Sequence, residues 1–521
     1  MTRRYPTARR SQVVDVYHGD VVPDPYRWLE ETDSPETVAW VEAQTELTEA
    51  FLAGVPSRRD IHRRLEELWD YPRPGVPFER GGLWFQWYQE GLENQPKLWV
   101  SPSPAARDRV LLDPNRLSAD GTVAVSSADV TPDGSLLAYA TSDAGSDWQT
   151  WHVRRVATGT DTGDAVQWSK FSTAAWRHDN SGFYYLAAPP PPPGQELTGE
   201  NRDHKVMFHR LGAPQADDQL VYWAADEPDW LPRATITEDG RYLVLSIERN
   251  LFPENQVQVM DLADPGSTFR PLVDDFACQA TVVGNTGSTF LLMTDFGAPR
   301  RRLVAADLDA GPDRRSWRQV VGEETDTLVN AHLFGGRLVC HYLHDARSRL
   351  SVRHLDGRPL RDIELPAATS VGGDHAEREG LEGRASSPVV HLALTSFAES
   401  GSVWSHHLDT GVTQLVEPSG APFDAGAVVT ERVRATSVDG TEVPMYLAHR
   451  REVTADGNVP VLLYGYGGFD IPLTPGFSVR HAAWMEMGGL VAVANLRGGG
   501  EFGREWYDAG RLAHKQNVFD D

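Results

Sequence analysis

Residues 133–139, Asp-Gly-Ser-Leu-Leu-Ala-Tyr, place a tight turn directly before an apolar run, and this arrangement decides the fold because it recurs. Six further copies of the pattern are centred on Gly82, Gly182, Gly240, Gly287, Gly336 and Pro388, where proline replaces the glycine. Successive copies are 47 to 58 residues apart and average 51. A strand-rich repeat with a period near fifty is typical of one four-stranded propeller blade per repeat. The sequence therefore predicts a seven-bladed β-propeller over residues 72–426, with a β-sandwich and a second all-β domain as the alternative.

The segments on either side of the repeats have a different pattern. Ser34, Pro35 and Glu36 supply an N-cap, a first-turn proline and a first-turn acid, which together predict a helix start. A second helix is predicted over residues 58–69. After residue 427, two apolar runs at 459–464 and 490–494 are separated by a helical segment, as in a sheet covered on both faces. The sequence thus predicts a helical N-terminal part over residues 1–71 and an α/β domain over residues 427–521.

The composition narrows the classes of partner. The chain has 49 basic and 74 acidic residues and a formal net charge of −25, so nucleic acid and anionic membrane surfaces are poor partners. No apolar run approaches the roughly 18 residues of a membrane helix, and no secretory signal is readable at the N-terminus. Cys278 and Cys340 are too few for a disulfide scaffold, although a single bridge stays open. We expect two buried thiols and a cytoplasmic protein.

Two glycine-rich segments follow the apolar runs of the predicted α/β domain. Residues 465–470, Gly-Tyr-Gly-Gly-Phe-Asp, lie where the first predicted strand ends, at the edge where such sheets place their ligands. In α/β-hydrolases the corresponding loop helps to form the oxyanion hole. A phosphate-binding role is disfavoured because no Gly-Lys-Ser/Thr sequence is present. For the second segment, residues 497–503, a tight turn that requires glycine is favoured over direct catalysis.

Together with other strings along the chain, these segments resemble the prolyl oligopeptidases, serine peptidases with an α/β-hydrolase domain and a seven-bladed propeller. The matching strings lie at residues 17–19, 24–30, 145–148, 226–228, 463–469, 495–503 and 512–521. The last string departs from the family pattern chiefly at His514, which stands where the family has asparagine. The resemblance implies a propeller inserted in a hydrolase domain that is incomplete at its C-terminal end. We expect the last strand of that sheet to form an exposed edge.

The resemblance also implies roles for six residues. Tyr466 matches the tyrosine whose hydroxyl stabilises the oxyanion, and Phe469 matches the aromatic wall that holds the substrate's proline. Phe171, Leu231 and Leu251 match an apolar patch that receives the substrate residue two positions before that proline. Asp147 matches an acid that orients a substrate-binding arginine. Plain packing, or for Asp147 a solvated carboxylate, is the alternative role.

The catalytic serine of the family lies on a Gly-x-Ser-x-Gly elbow C-terminal to the segment that matches Asp520 and Asp521. No such motif occurs in these 521 residues, so we expect them to be inactive alone. For the complete site, the resemblance implies cleavage of short peptides on the carboxyl side of proline, with no cofactor and no metal. A complementing C-terminal chain is a candidate partner. The alternative is a non-catalytic pseudo-enzyme whose propeller binds peptides or a protein partner.

Overall fold

The computed structural model describes residues 4–104, 106–192, 200–249, 252–372, 380–454 and 456–521. The chain divides into two compact units, Met1–Glu67 and Leu68–Asp521. Among the candidate site residues, Leu251 lies outside the described residues. None of the helices in the described ranges has the length and hydropathy needed to cross a bilayer.

The N-terminal unit contains a hairpin followed by helices. The elements that begin in it are β1 (Val14–Tyr17), β2 (Asp20–Pro23), α1 (Pro35–Ala53) and α2 (Arg58–Trp69). The predicted helix start is confirmed, since the Ser34 side chain accepts a hydrogen bond of 3.2 Å from the backbone N–H of Thr37 and Pro35 occupies the first helical position.

Seven consecutive groups of antiparallel strands make up the described propeller. Blade 1 contains β3 (Arg73–Pro74), β4 (Phe78–Arg80), β5 (Leu83–Gln89), β6 (Lys97–Ser101) and β7 (Arg109–Leu112), and blade 2 contains β8 (Val123–Val130), β9 (Leu136–Asp143), β10 (Trp148–Arg155) and β11 (Thr160–Lys170). Blade 3 contains β12 (Ala175–Trp176), β13 (Gly182–Ala187), β14 (Lys205–Arg210) and β15 (Gln219–Trp223), and blade 4 contains β16 (Trp230–Ile236), β17 (Tyr242–Arg249), β18 (Asn255–Asp261) and β19 (Arg270–Val273). Blade 5 contains β20 (Ala280–Thr286), β21 (Thr289–Thr294), β22 (Arg302–Asp307) and β23 (Arg318–Val321), and blade 6 contains β24 (Thr327–Phe334), β25 (Arg337–His344), β26 (Arg347–Arg353) and β27 (Pro359–Ile363). Blade 7 contains β28 (Ser370–Val371), β29 (Leu381–Glu382), β30 (Val389–Thr395), β31 (Ser402–His407) and β32 (Thr413–Glu417).

The predicted seven-bladed propeller is confirmed, and each turn-and-strand repeat marks the second strand of a blade. That strand is buried on both sides, which explains its continuous apolar run. In β17, for example, Leu243 and Leu245 join a cluster with blade 3, whereas Tyr242 and Val244 join a cluster with blade 5. Alternate residues of a strand point to opposite faces, so one strand serves both neighbours.

Apolar clusters join each pair of successive blades from the first to the last. Cys278 lies in the cluster between blades 4 and 5, and Cys340 lies in the cluster between blades 5 and 6. Both are buried free thiols, as predicted. The first and last blades meet through polar and aromatic contacts, in which Arg107 Nη1 lies 2.9 Å from Glu417 Oε1 and the rings of Trp84 and His391 lie edge to face.

The α/β segment, defined as residues 427–521, contains one mixed sheet. Its elements are β33 (Val428–Thr436), β34 (Glu442–Arg450), β35 (Val461–Gly465), α3 (Val479–Glu486), β36 (Leu490–Ala494), α4 (Arg504–Asp508) and α5 (Gln516–Asp520). The strand order is β33-β34-β36-β35, with β35 and β36 parallel and the other pairs antiparallel.

The expectation that the last strand forms the exposed edge is wrong. The chain crosses over through α3, and β36 then pairs with β34 on one side and β35 on the other, so the last strand is buried. The earlier strand β35 is the edge, and its Leu463 side chain is 67% exposed. Strand order depends on where the crossover returns the chain, which the local sequence pattern does not report.

Candidate active site

The first glycine-rich segment forms a loop at the carboxyl end of β35. Gly467 has a φ of +63°, and a Cβ there would lie 2.5 Å from Cγ1 of Val518 and 2.8 Å from the Arg497 carbonyl oxygen, so glycine is required. The loop leaves Tyr466 42% exposed and Phe469 63% exposed, with ring centroids 6.5 Å apart and an interplanar angle of 32°. The structure therefore brings these two predicted site residues together, with both rings accessible.

The second glycine-rich segment supports the first. The backbone N–H of Asp470 donates to the Gly498 carbonyl at 3.3 Å, and Gly498 itself has a φ of +90°. The Lys515 ammonium donates to the Gly467 carbonyl at 2.7 Å from the other side. These contacts agree with a structural role for residues 497–503.

Arg497 anchors this support to the rest of the segment. Its side chain is buried and its Nη2 lies 2.5 Å from Oδ1 of Asp521, while its Nη1 lies 2.6 Å from Oδ2 of Asp439 in the β33–β34 turn. The hydrogen bond from Arg497 lowers the pKa of Asp439 to about 2. The arginine thus ties the hairpin, the loop and α5 into one framework.

Beneath the loops lies a buried carboxyl group, Glu501. Its Oε1 accepts hydrogen bonds from the Leu473 backbone N–H at 2.8 Å and from Asn495 Nδ2 at 3.0 Å. Its Oε2 is buried and has no hydrogen-bond partner within the described part of the chain. Burial raises the pKa of Glu501 to about 7, because the charged form loses its hydration.

The blade 5 turn between β21 and β22, residues 295–301, contacts this region directly. Arg504 at the start of α4 donates its backbone N–H to the Pro299 carbonyl at 2.7 Å, and its Nη1 lies 3.2 Å from Oδ2 of Asp295. Arg504 also pairs with Glu254 of blade 4. From the same turn, Arg301 reaches Asp470 at the end of the first loop.

A cavity of about 980 Å³ lies inside the propeller, bounded mainly by first strands of the blades. Phe171 and Asp147 both line it, so the structure brings these two predicted residues together. Phe171 has a left-handed backbone with φ of 51°, and its carbonyl accepts a 2.8 Å hydrogen bond from Nη1 of Arg233, which also lines the cavity. Asp147 is exposed on the cavity wall.

The other predicted residues lie elsewhere. Leu231 is buried in the apolar cluster between blades 3 and 4 and does not line the cavity. This position agrees with its alternative role as a packing residue. Tyr466 and Phe469 also lie outside the cavity lining. In the described ranges, no group of three or more His, Cys, Asp or Glu side chains has the arrangement of a metal site.

Sequence reasoning missed Asp470, Arg301 and Glu501. For the two carboxyl groups the available signal was an acidic residue inside or directly after a glycine-rich turn that follows an apolar strand. Burial at such a position can shift the pKa of a carboxyl group. Nothing in the local sequence links Arg301 to this site.

Comparison with known proteins places these features in a family. A family model described as "Prolyl oligopeptidase, N-terminal beta-propeller domain" matches residues 5–419, and a second, "Prolyl oligopeptidase family", matches residues 475–521. The chain is 33% identical over 519 residues to a prolyl endopeptidase of Elizabethkingia miricola, covering 99% of this chain and 72% of that protein.

Solved structures are similar over the same extent. One prolyl endopeptidase structure superposes with a TM-score of 0.93 at 34% identity and covers 99% of this chain and 75% of its own. Prolyl oligopeptidase B from Galerina marginata, bound to a 25mer macrocyclization substrate, superposes with a TM-score of 0.91 at 28% identity, with coverages of 99% and 75%.

Proposed function

This chain belongs to the prolyl oligopeptidase family of serine peptidases, and from that premise we propose that it binds short peptides for cleavage on the carboxyl side of proline. The observation that carries the proposal is the pair of accessible rings, Tyr466 and Phe469, at the carboxyl end of a parallel strand. A ligand bound in this loop would meet a phenol and a flat aromatic face whose ring centroids are 6.5 Å apart.

The two rings would divide the chemistry. The Tyr466 hydroxyl donates a hydrogen bond to the oxyanion that develops on the scissile carbonyl, a contact formed fully only in the transition state. The Phe469 ring packs against the pyrrolidine of the substrate's proline, because a flat apolar ring fits an aromatic face. The framework around Arg497 and Lys515 holds the loop in place for both roles.

The propeller cavity would receive the part of the peptide that precedes the proline. Phe171, which lines the cavity, would supply an apolar contact there. Asp147, also on the cavity wall, would orient a substrate-binding arginine of the complete site. On the family resemblance we extend the apolar patch to Leu251, whereas Leu231 packs in the core between blades 3 and 4 and is left out of the patch. We propose domain limits at residues 71 and 426. We further propose that the protein lies in the cytoplasm. We also propose a C-terminal chain that completes the active site as its partner.

The test uses an extended chain, in which residues 1–521 continue into the C-terminal segment of the Elizabethkingia miricola prolyl endopeptidase. We expect it to cleave a Gly-Pro reporter peptide and to leave the matched Gly-Ala reporter intact. Residues 1–521 alone, which contain no Gly-x-Ser-x-Gly, should cleave neither reporter. Equal cleavage of both reporters by the extended chain would refute proline specificity.

A further inference from the structure

The loop that carries Tyr466 and Phe469 ends in an ion pair with the propeller. Oδ2 of Asp470 lies 2.5 Å from Nη2 of Arg301, and the two side chains are only 14% and 12% exposed. Arg301 belongs to the blade 5 turn, 169 residues earlier in the chain. The loop is therefore bonded to a different part of the fold from the strand that introduces it.

The backbone on both sides of this ion pair is strained. Phe469 and Asp470 each have a φ of 57°, and Arg301 has a φ of 66°. Residues with a Cβ rarely adopt this left-handed conformation, and it persists only where surrounding contacts over-determine it. The contacts that hold Asp470 are its backbone bond to Gly498 and its carboxylate bond to Arg301. Without the ion pair, the hydrogen bond left to Asp470 within the described residues would be the one from its backbone N–H to Gly498.

The environment makes each partner depend on the other. Oδ1 of Asp470 is buried and accepts no hydrogen bond from the described residues, and burial raises the pKa of this carboxyl group. Among nearby charged groups, Arg504 opposes that rise and Asp295 adds to it. Asp470 also interacts with the buried Glu501, whose pKa its charge helps to raise. A buried charge that loses its partner is strongly destabilising, so removing either side chain should release the loop.

We propose that Arg301 and Asp470 are positioning residues that hold the Tyr466–Phe469 loop in its binding shape against blade 5. The inference rests on the proposed function, because it takes this loop to be the one that meets substrate. It adds that the propeller, besides enclosing a cavity, sets the geometry of the oxyanion and proline contacts. Loop shape would then depend on contact between blade 5 and the α/β segment.

The first test measures hydrogen exchange in the 521-residue chain, which needs no catalytic activity. In Asp470→Asn and in Arg301→Gln, the amides of residues 467–471 should exchange at least about tenfold faster than in the unmodified chain, while β21 is unaffected. The double variant should exchange no faster than either single variant, since it removes the ion pair without leaving a buried unpaired charge. Arg301→Lys, which keeps the charge, should restore part of the protection.

A matched control is available inside the propeller. Arg314 Nη2 lies 2.5 Å from Asp275 Oδ1, the same pair of residue types at the same separation. Asp275→Asn should leave the exchange of residues 467–471 unchanged. Unchanged loop exchange in Asp470→Asn or Arg301→Gln, with β21 still protected as a check on folding, would overturn the proposal.

The second test places the same variants in the extended chain. Asp470→Asn and Arg301→Gln should lower kcat/KM for the Gly-Pro reporter about tenfold or more, and Arg301→Lys should recover part of that loss. Faster loop exchange with unchanged kcat and KM would overturn the positioning role. If the unmodified extended chain cleaves no proline reporter, the proposed function fails instead, and the exchange measurement alone decides whether the ion pair holds the loop.

Discussion

Replacing Glu501 by glutamine should make the α/β segment more stable at neutral and alkaline pH. Glu501 is only 1% exposed, and glutamine keeps the side-chain oxygen that accepts from Leu473 and Asn495. The substitution therefore removes the ionisation and preserves the two hydrogen bonds. In this respect glutamine imitates the protonated carboxyl group.

The magnitude follows from the shift in pKa. The carboxyl group has an ordinary pKa of 4.5 and a folded-state pKa of about 7, raised by burial. The folded state therefore holds the proton more tightly, and stability is fully present below pH 4.5 and is lost as pH rises through 7. At about 1.4 kcal/mol per pKa unit, the free energy of unfolding should fall by about 3 kcal/mol over this interval. Glu501→Gln should abolish that fall.

The assay is urea unfolding of the unmodified protein and the Glu501→Gln variant between pH 5 and pH 8.5, with hydrogen exchange of β36 to report on the α/β segment itself. The two proteins should be nearly equally stable at the acidic end, and their difference should approach about 3 kcal/mol by pH 8. Glu505→Gln is the control, because Glu505 lies four residues away on the exposed face of α4. Parallel stability curves for the unmodified protein and the Glu501→Gln variant would refute the argument from burial.

Three other outcomes are expected. In the extended chain, Tyr466→Phe should lower kcat about 10²–10³-fold with little change in KM, and an unchanged kcat would show that the loop is only a turn. Phe469→Ala should mainly raise KM, measured with the same Gly-Pro peptide, since it removes a contact made in both the ground and transition states. Residues 1–521 should not be labelled by a fluorophosphonate, because they contain no Gly-x-Ser-x-Gly motif, and a labelled serine would count against this expectation.

The propeller could be predicted from the chain because its signal is local. Each second strand is buried between two neighbouring blades, so its residues are apolar on both faces and follow a turn at a regular spacing. The same holds for the start of α1, where the Ser34 cap and Pro35 act within one helical turn. Contacts of this kind can be predicted from a few consecutive residues.

Strand pairings between blades cannot be predicted from a few consecutive residues. Blades 2 and 3 share one sheet because the long strand β11 pairs with β13 at a single position, Ser169 with Ala187. The inner position of β36 similarly depends on the path of a crossover. In both cases the outcome depends on the direction in which a strand leaves its neighbour, which composition and spacing do not encode.

Some features of the candidate site could likewise be predicted from the sequence, and others depend on tertiary structure. The glycine-rich turn after an apolar strand is a local signal for a ligand-binding loop, and the family resemblance implies the roles of Tyr466 and Phe469 within it. The cavity position of Phe171 and the core position of Leu231 were both compatible with the sequence, and only packing separated them. The ion pair between Arg301 and Asp470 and the raised pKa of Glu501 came from tertiary structure alone, since distance between charges and loss of hydration exist only once distant segments meet.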